Sequence, residues 1–274
     1  MSRVALITGA GRSNGLGQAI AMRLATDGCD IMSHYRGSLS GDIAPPHGVG
    51  VADDLEKTAQ AIRNETGQRV ETVTGDLLDV SAIDAIVASA EALFGRLDIL
   101  VNNARIGYLF GPLIELDPKY LDTVLGVNLR APMLLTGKAA PLMINGGQDG
   151  RVITIASQAT KPGFAFASAY TASKHELLGF TRSAALELGE HGITVNAVCP
   201  NHVTTGLGAW QNDFMSKARG QTMEEYMAVM RAHIPLGRPS LPEGTANAVA
   251  FLCANQATYI TGEAMNVSGG EEYH

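Results

Sequence analysis

The sequence predicts an α/β fold, a single-domain Rossmann-type doubly wound parallel sheet of seven strands with helices on both faces. Three observations carry this reading. Short, nearly unbroken apolar runs alternate with longer segments of helical spacing, as expected of βα units whose strands are buried on both sides. A glycine-rich turn closes the first run and opens the first helical segment, the setting in which such a turn meets phosphate. The 274 residues, 46% hydrophobic and 17% charged, suit one large core. No repeat, low-complexity tract or linker divides them, so 1–274 reads as one domain.

The elements follow in order. Strands are expected at 3–8, 30–35, 69–74, 98–101, 151–156, 193–198 and 264–267, most of them short runs rich in Val, Ile, Leu or Thr. Between them 16–27, 54–66, 81–94, 118–144, 169–190 and 242–254 carry helical spacing, and each strand–helix–strand unit makes the next strand parallel. Two segments break the rhythm. Residues 36–53, rich in Gly and Pro, read as an inserted surface loop. Residues 201–235, with the only Trp and a Met-rich helix at 222–232, read as a lid over a substrate site.

Composition excludes several classes. Twenty Lys and Arg against 27 Asp and Glu, net −7, with no basic run, argue against nucleic-acid binding. Cys29, Cys199 and Cys253 are odd in number and widely spaced, suggesting neither disulfides nor a metal site and fitting a reducing cytoplasm. The apolar run before Thr8 is too short for a secretory signal, and the longest uncharged stretch, 244–262, is interrupted by Thr, Asn and Gln, unlike a membrane span. A cytoplasmic protein, without membrane attachment, is expected.

Chemistry concentrates at two places. In Thr8-Gly9-Ala10-Gly11-Arg12-Ser13-Asn14-Gly15-Leu16-Gly17, glycines let the backbone approach a pyrophosphate whose charge meets the helix N-terminus. Ser157 ends the fifth strand, and Tyr170 and Lys174 stand four apart on one helix face. An ammonium beside a phenol favours proton exchange with an alcohol or carbonyl, and Ser157 can hydrogen-bond the same oxygen.

These features, with Asn102-Asn103-Ala104 after the fourth strand, Asn128 in the next helix and Asn266-Val267-Ser268-Gly269-Gly270 near the end, resemble the short-chain dehydrogenase/reductase family over nearly the whole chain. The resemblance implies an NAD(P)-dependent oxidoreductase acting on CH–OH groups of a small polar substrate: a polyol, a sugar or a keto/hydroxy compound. It implies a catalytic tetrad: Asn128 to order a relay water, Ser157 to polarise the substrate oxygen, Tyr170 as acid/base, and Lys174 to tune Tyr170 and bind the nicotinamide ribose. Cofactor contacts are expected from Gly9, Arg12, Asn14, Gly15, Leu16 and Gly17, from Tyr35 and Arg36, from Asp76 and Leu77, from Asn103 and Ala104, from Tyr170 and Lys174, and from Pro200, Val203 and Thr205. Arg105, Lys161, His202 and Trp210, with Gln211, are candidate substrate contacts, Arg105 and Lys161 adding positive charge for an anion.

Three departures stand out. Five residues instead of three separate Gly9 from Gly15; Arg105 replaces the glycine usual after Asn-Asn-Ala; and Asn201 replaces the glycine after Pro200, where asparagine can take positive φ. Tyr35 occupies the position at which NAD-preferring relatives have an acid, and Arg36 and Arg12 can clamp a 2′-phosphate, so NADP(H) is expected, with NAD(H) the alternative. A homotetramer paired through 118–144 and 169–190 is expected. The competing readings are a lyase like the halohydrin dehalogenases, which typically have Arg for the catalytic Lys, and a non-catalytic dinucleotide sensor. Lys174 opposes the first and the complete tetrad the second.

Overall fold

A computed structural model describes residues 2–37, 52–107, 109–147 and 149–273. Strands β1 (Val4–Ile7), β2 (Asp30–Tyr35), β3 (Val70–Thr74), β4 (Ile99–Asn102), β5 (Arg151–Ile155), β6 (Thr194–Pro200) and β7 (Ala264–Val267) form one parallel sheet in the order β3-β2-β1-β4-β5-β6-β7. Among the described residues the helices are α1 (Leu16–Thr26), α2 (Ala52–Thr66), α3 (Val80–Phe94), α4 (Pro118–Leu125), α5 (Ala131–Gly147), α6 (Ser168–Leu188), α7 (Gly206–Ala218), α8 (Met223–His233) and α9 (Pro242–Cys253).

Strand alternation divides the core. Ala5 and Ile7 pack with α1, α2 and α9 on one face of the sheet. Val4 and Leu6 pack with α3, α5 and α6 on the other. Each face needs its own apolar set because successive side chains point to opposite sides. Local chemistry sets the helix ends: Asp79 accepts the Ser81 N–H ahead of α3, Asp117 precedes Pro118 at the first position of α4, and Thr222 with Glu225 forms a capping box on α8.

Three expectations are adjusted. The helix at 118–144 is divided by a π-turn, Gly126–Arg130; a Cβ on Gly126 would lie 2.5 Å from Leu78 Cδ2, so a larger residue at this position would force Leu78 to shift. The lid contains a helix that the pattern did not disclose, α7. Of the insertion at 36–53, residues 38–51 lie outside the described residues, while Ala52 and Asp53 already belong to α2.

β1 pairs with both β2 and β4, with Ile7 opposite Ser33 and Val101. The sheet grows in both directions from this point, and the chain ends of β1, β2 and β4 therefore converge on the crevice where ligands bind in doubly wound sheets.

Candidate active site

The glycine turn is tied to its neighbours on three sides. Thr8 Oγ1 donates to the Val101 carbonyl at 3.3 Å and accepts the Asn103 and Ala104 N–H groups at 3.0 and 3.1 Å. Asn103 Nδ2 donates to the carbonyls of Thr8 (2.8 Å) and Gly9 (3.2 Å). A Cβ on Gly9 would lie 2.7 Å from Ala104 Cα, and one on Gly17 would lie 2.8 Å from Asn103 Nδ2, so both positions require glycine by contact. The third tie is His34, buried at the end of β2. Its Nδ1 accepts the Gly9 N–H at 3.4 Å and its Nε2 donates to the Gly75 carbonyl at 2.9 Å. Burial pushes its pKa down to about 4; the ring is neutral, and its partners select the Nε2–H tautomer.

The two extra residues of the turn are absorbed at Asn14, which takes a left-handed φ of 55°, a conformation asparagine tolerates. Gly15 caps α1 without any side-chain acceptor, which leaves first-turn N–H groups and the positive helix end turned toward an anion. This close, donor-rich cradle fits the pyrophosphate of a dinucleotide. Beside it Tyr35 packs on Gly11, whose Cβ would lie 2.5 Å from Tyr35 Cβ. Arg36 Nε and Nη2 both donate to Asp76 Oδ2, at 3.1 and 2.7 Å, while Asp76 Oδ1 accepts the Leu78 N–H. The residues expected at a 2′-phosphate and at adenine hold one another. Leu77 is buried in the core below.

Next to the turn lies a cavity of about 330 Å³, lined among others by Leu16, Arg105, Ser157, Tyr170, His202 and Glu271. Ser157 Oγ accepts the Ala159 N–H at 3.1 Å, capping a single turn of helix at Gln158–Thr160. One turn along α6 from Tyr170, Lys174 Nζ lies 5.7 Å from the Tyr170 ring centre and donates to the Ile155 carbonyl at 2.8 Å. Only 1% of Lys174 is exposed. Burial first, and then the charge of Arg105, push its pKa down to about 7.

Asn128, in the π-turn, is spent elsewhere. Its Oδ1 accepts the Ile106 N–H (2.7 Å), and its Nδ2 donates to the Ile106 carbonyl (2.9 Å) and to Ser173 Oγ (3.1 Å), which donates in turn to the Tyr170 carbonyl at 2.7 Å. The amide splices the loop after β4 to α6.

Other expected positions fall as follows. Asn201 does not take positive φ, in correction of the expectation that it mimics glycine; among non-glycine described residues Asn14 and Phe166 do. The loop turns instead because Asn201 Nδ2 donates to the Ser268 carbonyl (2.7 Å) and Glu271 Oε2 (2.9 Å). Thr205 caps α7, accepting the Gly208 N–H at 3.3 Å, and the Val203 carbonyl accepts the Thr205 N–H at 2.8 Å. Pro200, Val203 and Thr205 line the cavity, as do Arg105, His202 and Gln211, but Lys161 and Trp210 are not among its lining residues. Trp210 packs with Phe110 and Phe214 in a three-ring cluster, each pair of ring centres 5.6 to 5.7 Å apart. His202 Nε2 is 3.8 Å from Glu271, and burial lowers its pKa against the pull of that carboxylate. His34, Ser173 and Glu271 had no assigned role in the sequence; an imidazole inside a buried strand was the one available signal, for His34.

Residues 47–272 match the family profile described as Enoyl-(Acyl carrier protein) reductase. L-2,3-butanediol dehydrogenase of Corynebacterium glutamicum is 33% identical over 279 residues, covering 100% of each chain. The chain belongs to the short-chain dehydrogenase/reductase family. Among solved structures, an actinorhodin polyketide ketoreductase variant with NADPH superposes at TM-score 0.87 with 34% identity over 98% of this chain and 97% of that one. Carveol dehydrogenase from Mycobacterium avium, in complex with NAD, superposes at 0.90 with 29% identity over the same shares, 98% and 97%. This short-chain dehydrogenase/reductase is an NAD(P)-dependent enzyme acting on alcohol and ketone groups, and the lyase and sensor readings fall away.

Proposed function

We propose that the enzyme moves a hydride between NADP(H), in preference to NAD(H), and a secondary alcohol or carbonyl of a small polar substrate, with Tyr170 as acid/base. The observation that carries this reading is that Ser157 and Tyr170 line one cavity while Lys174 is buried behind the Tyr170 ring. The nicotinamide supplies or takes the hydride when bound. Tyr170 gives or receives the proton at the substrate oxygen, which Ser157 steadies with a hydrogen bond. Lys174, titrating at about 7, can exchange a proton near neutral pH one step behind Tyr170.

NADP(H) is supported by Tyr35 in place of an acid at the end of β2; Arg36 beside it would have to leave Asp76 to reach a 2′-phosphate. A homotetramer is supported by Met133 on α5 and Leu186 on α6, exposed at 47% and 85%. Three buried unpaired cysteines suit the cytoplasm. Tyr170→Phe keeps the ring and loses the exchangeable proton; kcat should fall about 10² to 10⁴-fold with an unchanged circular dichroism spectrum. A kcat within a few-fold of the parent overturns the assignment.

A further inference from the structure

We propose that Arg105 is an anion-binding residue of the active site, and that the substrate carries a carboxylate close to the reacting carbon, as in a hydroxy acid and its keto acid. This names the substrate class of the site and rests on the oxidoreductase reading above.

Arg105 stands where the family resemblance leads one to expect glycine, directly after Asn-Asn-Ala, and its side chain lines the cavity together with Ser157 and Tyr170. It is partly buried. Among the described residues no carboxylate lies within ion-pair distance of it, and the charged or titratable group that acts on it is Tyr170. Lys174 lies close enough to feel its repulsion and finds only the Ile155 carbonyl for a bond. The Arg105 guanidinium thus faces the phenol with no carboxylate to match it, an arrangement that costs free energy unless a ligand completes it.

Two acids, Glu271 and Glu272, line the cavity, and neither is paired with Arg105. Glu271 is taken up by His202 and Asn201. The remaining wall is mixed, with Phe110, Met215, Met227 and Met230 as its apolar part and Gln158, Gln211, Asn212, Arg219 and His233 as its polar part. A ligand held by its oxygen at Ser157 and Tyr170 therefore shares the cavity with the Arg105 guanidinium. A carboxylate matches the guanidinium in charge and in its paired donors; a neutral ketone leaves it unmatched.

The test uses 2-hydroxy-2-methylpropanoate, which has no carbinol hydrogen to transfer, and its neutral amide. Each is titrated calorimetrically into the parent enzyme, Arg105→Leu and Arg105→Lys, with saturating NADP⁺ or NAD⁺, whichever binds more tightly. The parent is expected to bind the acid roughly 10 to 100-fold more tightly than the amide, the range of a charge-assisted pair. Arg105→Leu should erase that preference, and Arg105→Lys should keep part of it. Because Arg105→Leu removes an unmatched charge, its melting temperature should equal or exceed the parent's; if it fails to fold, Arg105→Gln takes its place.

Equal binding of acid and amide by the parent, or no saturable binding of the acid, overturns the proposal. So does an acid preference that persists in the uncharged variant. A variant that loses cofactor affinity while keeping the acid preference makes Arg105 a cofactor contact and also overturns it. Turnover is read separately with NADPH and ketones of either charge. Reduction of uncharged ketones without any acid preference removes the anion site and leaves the oxidoreductase reading in place; acid preference without turnover of any carbonyl or alcohol does the reverse.

Discussion

His34 offers a quantitative check on how the glycine turn is held. Its imidazole is buried between Gly9 and Gly75, and its pKa falls from 6.5 to about 4, burial outweighing the Gly75 bond and the more distant Asp76 charge that favour protonation. The folded pKa lies below the unfolded one, so between these values the unfolded chain holds a proton that the native state refuses. Stability from this group is complete above pH 6.5, is lost at about 1.4 kcal/mol per pH unit as pH falls below it, and levels off near the folded pKa. The loss between pH 7 and 5 is about 2 kcal/mol, and by pH 4 roughly 3 kcal/mol. His34→Gln keeps an acceptor and a donor but does not titrate. Urea unfolding of both proteins, followed by circular dichroism from pH 7 to 4, gives the difference directly, since every other group cancels to first order. The parent should lose stability relative to His34→Gln by these amounts on acidification. Parallel pH dependences would refute the account of a neutral, buried imidazole bracing the turn.

Gly17→Ala sets a Cβ 2.7 Å from the Gly9 carbonyl oxygen and 2.8 Å from Asn103 Nδ2, and overpacking of this kind costs about 1–3 kcal/mol; dinucleotide affinity by fluorescence titration should fall at least about tenfold, and an unchanged affinity would show that the turn can yield. Arg12→Ala with Arg36→Ala should weaken NADP(H) binding selectively, whereas an equal effect on NAD(H) would place the discrimination elsewhere. Sedimentation at micromolar concentration should give a species well above 28.8 kDa, and a single species near that mass rejects the tetramer.

The sheet was legible because its strands lie under helices on both sides and therefore read as apolar runs, and each of the seven appears within a few residues of its expected place. Helix α7 was not, since residues such as Gln211, Asn212 and Asp213 interrupt any apolar stripe; the ring stack of Phe110, Trp210 and Phe214 joins it to a loop distant in sequence. The π-turn was hidden for a similar reason, since the close approach of Leu78 to Gly126 comes from another segment. In the site, the spacing of Tyr170 and Lys174 is local and survives translation into a helix. The pairing of Arg36 with Asp76 and the embrace of Gly9 by His34 arise from strand neighbours, which no local spacing reveals.

The cavity has Leu16 from the first helix in one wall and Glu271 and Glu272 in another, so everything from 16 to 272 must leave the ribosome before the pocket exists. A nascent chain that has made the glycine turn, and even Tyr170, still lacks part of the enclosure that would grip a substrate. Ligand occupancy is thus a late event in biogenesis, available only to molecules that have finished folding, and it withdraws them from the unfolded pool by mass action. In a cell the abundance of marginal variants would then track the supply of the small molecules they bind, making metabolite levels act as a form of quality control.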